Sequence, residues 1–393
     1  MNERMKMIQE YESGDYSISD LAEQYEVSRK TIYKWLDRFE ASGWEGLKDQ
    51  SRAPRTHPNA VEANIQRRLL RLKADKPLWG APKLRHKLLG QIGPEHCPAE
   101  STISEILRRH GLSARRGRAR RAVPSEQPLA HCQRANQVWC ADFKGWFRTG
   151  NGQKCMPLTI SDAHSRYLLC CQSLGEKTGF VSVKPLFIQT FREHGLPQAI
   201  RTDNGAPFAS VGLGGLSPLS VWWVRLGIGL ERIEPGAPQQ NGRHERMHRT
   251  LKEATAQPPA RNLNTQQERF DDFRREYNEE RPHEALSQQT PASVYEPSAK
   301  EYPEKLPKPR GYPDDWEKRR VRKGGQIKWK GQDIRLSKAL WGQDIGLEPV
   351  GEGLWAVHFE TLRLGTLDEG KGRLERCRRL PSPASAESME RSE

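Results

Sequence analysis

No run in this chain approaches the ~20 apolar residues that a membrane span requires. Its start, Met1-Asn2-Glu3-Arg4-Met5-Lys6, holds no apolar stretch of signal-peptide length. Both absences point to a soluble, intracellular protein. The seven cysteines, Cys97, Cys132, Cys140, Cys155, Cys170, Cys171 and Cys377, are odd in number and include no Cys-x-x-Cys pair. That argues against a disulfide framework and fits a reducing compartment. Nor does zinc-site spacing accompany His164, His244, His248 or His283. What the chain has in excess is positive charge: 64 Lys and Arg against 50 Asp and Glu, a formal +14 over 393 residues. Such a length accommodates about two to four domains. The charge favours a polyanionic partner, and its clustering matters more than its sum.

Residues 1–50 read as a helix-turn-helix. Ser17 and Asp20 have capping-box spacing and open a short helix with Leu21, Ala22 and Tyr25 inward, before a turn at Glu26-Val27. A second helix opens at Ser28. Its apolar residues Ile32, Trp35, Leu36 and Phe39 fall at i, i+3, i+4 and i+7, which buries one stripe and turns Arg29, Lys30, Tyr33 and Lys34 outward. That outer face suits a DNA major groove; the plainer alternative is a small bundle with a solvated basic face. A linker at 51–58 with two prolines interrupts helix. A second helical unit follows over 59–113, with Leu69, Leu70 and Leu72, the segment Trp79-Gly80-Ala81-Pro82-Lys83-Leu84, and a helix over 101–110. This last helix turns Ile103, Ile106 and Leu107 inward and stops at Gly111. Five arginines then crowd into residues 114–121: Arg115, Arg116, Arg118, Arg120 and Arg121. The block is a contact for phosphate backbone or minor groove, or a solvated tether.

From Asn136 the pattern becomes strand-like, with runs at 138–147, 156–161 and 167–174 and an Asn-Gly turn at Thr149-Gly150-Asn151-Gly152. A helix over 178–194 follows, then short strands at 198–202 and 228–233. Three segments here stand out: Trp139-Cys140-Ala141-Asp142-Phe143-Lys144-Gly145, then Arg201-Thr202-Asp203-Asn204-Gly205, then Pro238-Gln239-Gln240-Asn241-Gly242-Arg243-His244-Glu245-Arg246. Each carries one carboxylate suited to a metal: Asp142, Asp203 and Glu245. Phosphodiester transfer often uses two divalent ions about 3.5–4 Å apart, and hard cations of that kind take oxygen ligands. Singly the segments are weak. An Asp at a strand end is commonly solvated, Asp-Asn-Gly alone reads as a turn with Asn or Gly at positive φ, and Glu245 can be half of an i, i+4 pair with Arg249.

Taken with Tyr277-Asn278-Glu279-Glu280-Arg281-Pro282-His283-Glu284-Ala285-Leu286 and Thr290-Pro291-Ala292-Ser293-Val294-Tyr295, the segments resemble the Asp-Asp-Glu transposases of bacterial insertion sequences, relatives of retroviral integrases. The resemblance runs from the N-terminus to about residue 370. It implies a multidomain chain: helix-turn-helix units at 1–50 and 59–113, a basic linker at 114–130, an α/β ribonuclease H-like catalytic core at 131–300, a linker at 301–317, a small β-barrel at 318–370 and a disordered tail at 380–393. It makes Asp142, Asp203 and Glu245 the catalytic, metal-holding residues, with about two Mg²⁺ (or Mn²⁺) ions per site. The implied partner is double-stranded DNA, both the element's ends and its target, bound by a homodimer or larger oligomer in the bacterial cytoplasm at the nucleoid. The implied activity is cleavage at the element's ends and joining of the freed 3′-hydroxyls to target DNA. Two rivals stand beside it: a transposase-derived regulator that binds DNA without chemistry, and a ribonuclease H-like nuclease without strand transfer.

Several finer expectations follow. A helix over 241–254 would bury Met247, Leu251 and Ala254 and put Asn241, Glu245, His248 and Lys252 on another face, with Arg243, Arg249 and Lys252 near enough to hold phosphates. Three neighbouring carboxylates repel, so raised pKa values and partial disorder are expected without metal. Asp162 reads as a turn cap. The 42 positions between Asp203 and Glu245 contain extra length around 212–224, read as a loop and short helix. Cys140, two residues before Asp142, shares its face in a regular strand and is read as packing. Short strands at 333–336, 344–347, 354–359 and 362–367, with Gly between them, suggest the barrel. Its basic entrance, 319–330 with Lys328, Trp329 and Lys330, suits phosphate contact.

Overall fold

The computed structural model describes residues 3–49, 60–113, 129, 131–234 and 242–377. The linker at 51–58, the arginine block, the lead-in to Glu245 at 235–241 and the tail at 380–393 therefore lie outside the described residues. The chain divides into two compact units, residues 1–62 and 63–393.

The first unit has three helices: α1 (Glu3–Ser13), α2 (Ile18–Gln24) and α3 (Arg29–Gly46). Ser17 caps α2 in a complete capping box, its hydroxyl taking the Asp20 amide while the Asp20 carboxylate takes the Ser17 amide. Ser28 caps α3, and Glu26 makes the turn between the helices at φ 52°. Leu21, Ile32 and Trp35 are buried as their spacing requires, against Met7 and Ile8 from α1. Arg29, Lys30, Tyr33 and Lys34 are all exposed.

The second unit opens with α4 (Ala63–Asp75), α5 (Ala81–Ile92) and α6 (Glu100–Arg109), the last closed by Gly111 at φ +68°. A mixed sheet follows: β1 (Val138–Phe143), β2 (Phe147–Arg148), β3 (Lys154–Asp162), β4 (Leu168–Leu174), β5 (Ala199–Thr202) and β6 (Gly229–Arg232). Strand β3 pairs antiparallel with β1, β2 and β4, while β1, β5 and β6 run parallel. Parallel pairing needs a crossover, and α7 (Phe180–His194) supplies the one into β5. Its Val183, Phe187 and Phe191 pack with Trp139, Ile160 and Ile200.

The extra length before β6 forms a short 3₁₀ turn and α8 (Pro218–Arg225). This helix is more than an accessory. Leu219, Val221, Trp222, Trp223 and Val224 are all buried, and a helix apolar all round belongs inside a structure. It lies in one continuous core shared with the C-terminal sheet. Its last residue, Arg225, pairs with Glu360 at 3.1 Å, and both side chains are only 10% exposed.

After α9 (Gly242–Thr255) and α10 (Leu263–Arg275) a π-helical turn spans Glu276–Glu280. Asn278 there acts as a strand partner for β4, accepting from the Leu168 amide at 2.8 Å and donating to the Leu168 carbonyl at 3.0 Å. The same turn receives the helical module: Trp79 Nε1 donates to Glu276 at 3.1 Å and Lys76 pairs with Glu280 at 2.8 Å.

The C-terminal part holds β7 (Glu317–Arg320), β8 (Gln326–Trp329), β9 (Gln332–Arg335), β10 (Asp344–Gly351), β11 (Leu354–Phe359), β12 (Leu362–Asp368) and β13 (Arg373–Arg376). Where a small β-barrel was expected, the strands form a five-stranded antiparallel sheet, β13-β12-β11-β10-β7, and a separate hairpin, β8-β9. No ladder among the described residues joins β7 to β13, and the hairpin lies against both.

Candidate active site

Asp142 lies on β1 and Asp203 just past the end of β5, its parallel neighbour. Both are half-buried. Burial, reinforced by the charges of Asp203 and Glu245, pushes the Asp142 carboxyl up to about 7, against the pull of the Phe143 amide and Lys144. The charges of both other acids thus act on Asp142. The Asp203 loop is anchored by Arg232, which donates to Thr202 Oγ1 at 2.8 Å, the Asp203 carbonyl at 3.3 Å and the Phe208 carbonyl at 2.9 Å. Asn204 donates to the Ile233 carbonyl at 2.8 Å. The turn uses no positive φ at Asn204 or Gly205, contrary to the simple reading of Asp-Asn-Gly. Glycine is needed there for space, since a Cβ on Gly205 would meet the Asp203 carboxylate oxygens at 3.0 and 3.3 Å.

Helix α9 carries Glu245, which is exposed. The helix docks through a residue that the sequence did not single out. Thr159 faces Asp142 across the β1–β3 ladder; its hydroxyl lies 2.7 Å from Nε2 of both His244 and His248 and donates to the Asp142 carbonyl at 3.2 Å. Ser161 Oγ adds a contact to His244 Nδ1 at 3.1 Å. Burial pushes His244 down to about 3, and burial with the nearby His244 and Lys144 lowers His248 too. With its single hydrogen given to the Asp142 carbonyl, the hydroxyl keeps two lone pairs, which suit Nε2–H donors from two neutral rings. The predicted stripe therefore needs correction: His248 is buried instead of sharing the open face of Glu245, and Thr255 takes the buried place assigned to Ala254, which is exposed.

By donor type the three carboxylates fit a hard divalent cation, and the like-charge repulsion felt at Asp142 is what such a cation offsets. Among the described residues, no three His, Cys, Asp or Glu side chains stand together as a ready-made metal cluster. Asp162 is structural, as expected: its carboxylate accepts from the Asn136 amide at 2.8 Å and from the Ser165 amide and hydroxyl, both at 2.7 Å. Cys140 is buried among Leu129, Cys132, Val138, Ala163 and Ala199, and burial pushes its thiol up to about 12, in accord with packing. All seven cysteines are free.

Of the expected phosphate contacts, Arg249 and Lys252 are exposed on the Glu245 side of α9, whereas Arg243 turns away and donates to the Ala163 carbonyl at 3.1 Å. Lys328 is exposed, while Lys330 is tied to Glu369. Trp329 is a core residue packed on Trp355, with Arg319 over its ring, so it is not part of a basic entrance. Arg115, Arg116, Arg118, Arg120 and Arg121 lie outside the described residues. No helix among those described is long and apolar enough to cross a membrane.

Residues 3–55 match a helix-turn-helix domain, 31–107 a homeodomain-like domain, 226–291 an integrase core domain and 317–373 the C-terminal domain of IS481 family transposases. The integrase-core match contains Glu245 and begins beyond Asp142 and Asp203. The chain is 29% identical over 250 residues to the insertion element IS407 uncharacterized 31.7 kDa protein of Burkholderia multivorans, covering 60% of this chain and 81% of that one. It is 30% identical over 185 residues to the insertion element IS476 uncharacterized 39.2 kDa protein of Xanthomonas euvesicatoria, covering 45% and 49%. Among solved structures, the HTLV-2 integrase catalytic core domain in complex with magnesium aligns at 17% identity over 42% of this chain and 98% of that one, with a TM-score of 0.32.

Proposed function

We propose that the chain is an insertion-sequence transposase, a reading supported by its matches to an integrase core domain, to helix-turn-helix domains and to the C-terminal domain of IS481 family transposases, and that it cuts the ends of its element and joins them to target DNA through Asp142, Asp203 and Glu245. The observation that supports the reading is that β1 and β5 are parallel neighbours carrying Asp142 and Asp203, while α9, which carries Glu245, is seated through Thr159 opposite Asp142. Asp142, Asp203 and Glu245 would hold the divalent cations. Mg²⁺ bound there would supply positive charge at the reacting phosphate and lower the pKa of an attacking water.

The chain's own residues supply the positioning. Thr159 pins α9, and with it Glu245, beside Asp142; Arg232 fixes the Asp203 loop. Arg249 and Lys252 engage phosphates on the Glu245 side. Arg29, Lys30, Tyr33 and Lys34 face the major groove at the element's ends. Near neutral pH Asp142 is the acid that gives up a proton as cation binds. Joining two ends to one target needs at least a dimer, and the chemistry belongs at the nucleoid.

The test is a short duplex carrying the element's flanking repeats, with Mg²⁺ and a target plasmid. Joined products are expected from the native chain and none from Asp142→Asn or Glu245→Gln. Cleaved but unjoined ends would make the protein a nuclease, and tight binding without cleavage by any of the three would make it a regulator.

A further inference from the structure

A cleft of about 200 Å³ opens along α9 on the side away from Glu245. At about 100° of turn per residue, Arg243 and Arg246 lie on a strip roughly 100–160° round the helix from Glu245, and both line the cleft. Facing them are Arg166 from the β3–β4 turn, Lys83 from α5, and Arg281 with His283 from the segment after the π turn. Four distant parts of the sequence thus bring five permanent or readily held cations to one cleft, and Glu284 is the one carboxylate among the described residues that line it.

The hydrogen bonds made by these cations go to backbone carbonyls. Arg166 and Arg243 both donate to Ala163, at 2.7 and 3.1 Å, Arg246 donates to Gly242 at 3.3 Å, and Lys83 donates to Pro282. Carbonyl dipoles orient a cation without cancelling its charge. The crowding is felt: burial and Arg281 push Lys83 down to about 8, and burial and Arg243 push Arg166 down to about 10. His283 Nε2 is buried without a hydrogen-bond partner. Half-buried cations that repel one another oppose folding, and an anion with several acceptor oxygens relieves them together, since guanidinium forks match phosphate.

We propose that this cleft receives one backbone phosphate of the DNA the protein acts on, gripped jointly by the helical module through Lys83, by the β3–β4 turn through Arg166, by α9 through Arg243 and Arg246, and by Arg281. The inference rests on the reading of the chain as a DNA-joining enzyme. It assigns the cleft to a phosphate beside the reacting one, because Glu245 occupies another side of the helix. The helical module is thereby held on the core by the substrate itself, in addition to Trp79 and Lys76.

The experiment uses the full chain with two probes, inorganic sulfate and a flanking-repeat duplex. Low-millimolar sulfate should raise the thermal midpoint of the native chain above that in chloride of equal ionic strength, and this rise should vanish in Lys83→Gln/Arg281→Gln. The double variant should also bind the duplex with a log Kd against log salt slope shallower by about one, the value for one lost phosphate contact. If that variant fails to fold, Arg246→Gln, altered at an exposed side chain, provides the same two readouts. An equal sulfate response in native and variant chains would overturn the site. A lost sulfate response with an unchanged salt slope would overturn its assignment to DNA. Absent strand joining alongside the expected slope change would remove the catalytic reading and support the cleft.

Discussion

Replacing Asp142 with Asn probes the electrostatics of the carboxylate site without DNA. The folded-state value of about 7 stands above the reference of 3.8, so the folded chain favours the protonated acid. Stability from this group is fully present below pH 3.8 and is lost as pH rises through about 7. At about 1.36 kcal/mol per unit, proton linkage makes the ionised carboxylate cost about 4 kcal/mol at about pH 8 and about 1.7 kcal/mol at about pH 5. Relative to the Asn variant, the native chain should therefore lose up to ~2.5 kcal/mol between those pH values. Because Asp142 is only half-buried, solvent screening brings the realised change nearer ~1 kcal/mol. The exchange of acid for amide cancels in this difference, as does every shared titration that does not feel the Asp142 charge. Denaturant unfolding of both chains at the two pH values, free of divalent cation, measures it. Mg²⁺ at about pH 8 should then stabilise the native chain and leave the variant unmoved. A gap of equal size at both pH values would refute the argument that Asp142 is held against its neighbours' charge.

Other consequences are open to simple measurement. Thr159→Val removes the hydroxyl shared by His244 and His248 and should cost roughly 1–3 kcal/mol per stranded buried group in urea unfolding. Those two histidines have folded values below 6.5, so their stability is present above that pH and is lost as pH falls towards about 3. In an Asp142→Asn background, which removes the opposing trend, thermal midpoints should fall on acidification below about pH 6 and fall less in His248→Gln. Arg225→Ala strands Glu360 between α8 and the C-terminal sheet and should cost about 3–5 kcal/mol, with Arg225→Ala/Glu360→Ala less damaging than the sum of the two singles.

Much of the architecture was legible because it is written locally. Ser17 and Asp20 cap α2 within three residues of each other, and Ile32 and Trp35 are inward by helical spacing alone. The two aspartates could be placed because strand alternation and a short β5 fix where they emerge. What escaped local reading depends on distant partners. His244 and His248 disrupt an apolar stripe, yet they are buried because Thr159, on β3, meets both rings. Asn278 looks like a loop residue until β4 offers it the amide and carbonyl of Leu168. Trp329 sits among lysines in sequence, and only the packing of Trp355 against it reveals a core position. The stretch at 212–224 reads in sequence as a loop and short helix, and only the core it shares with the C-terminal strands, with Arg225 meeting Glu360, shows that α8 is buried against them.

Helix α9 connects the carboxylate site to the cationic cleft. Its buried side meets Thr159 opposite Asp142, a second side shows Glu245, and a third lines the cleft with Arg243 and Arg246. Turning a helix by one residue moves every side chain by about 100°, so no small rotation can repair one side and spare the others. Thr159→Val should therefore reduce strand joining and the sulfate response together, although Thr159 touches neither DNA-facing side. Lys83→Gln, which lies on α5, should weaken the sulfate response while the pH-dependent gap between native and Asp142→Asn chains persists. If Thr159→Val abolished joining but left the sulfate response intact, Glu245 would be positioned by something other than the seating of α9, and the mechanical link between the two sites would fall.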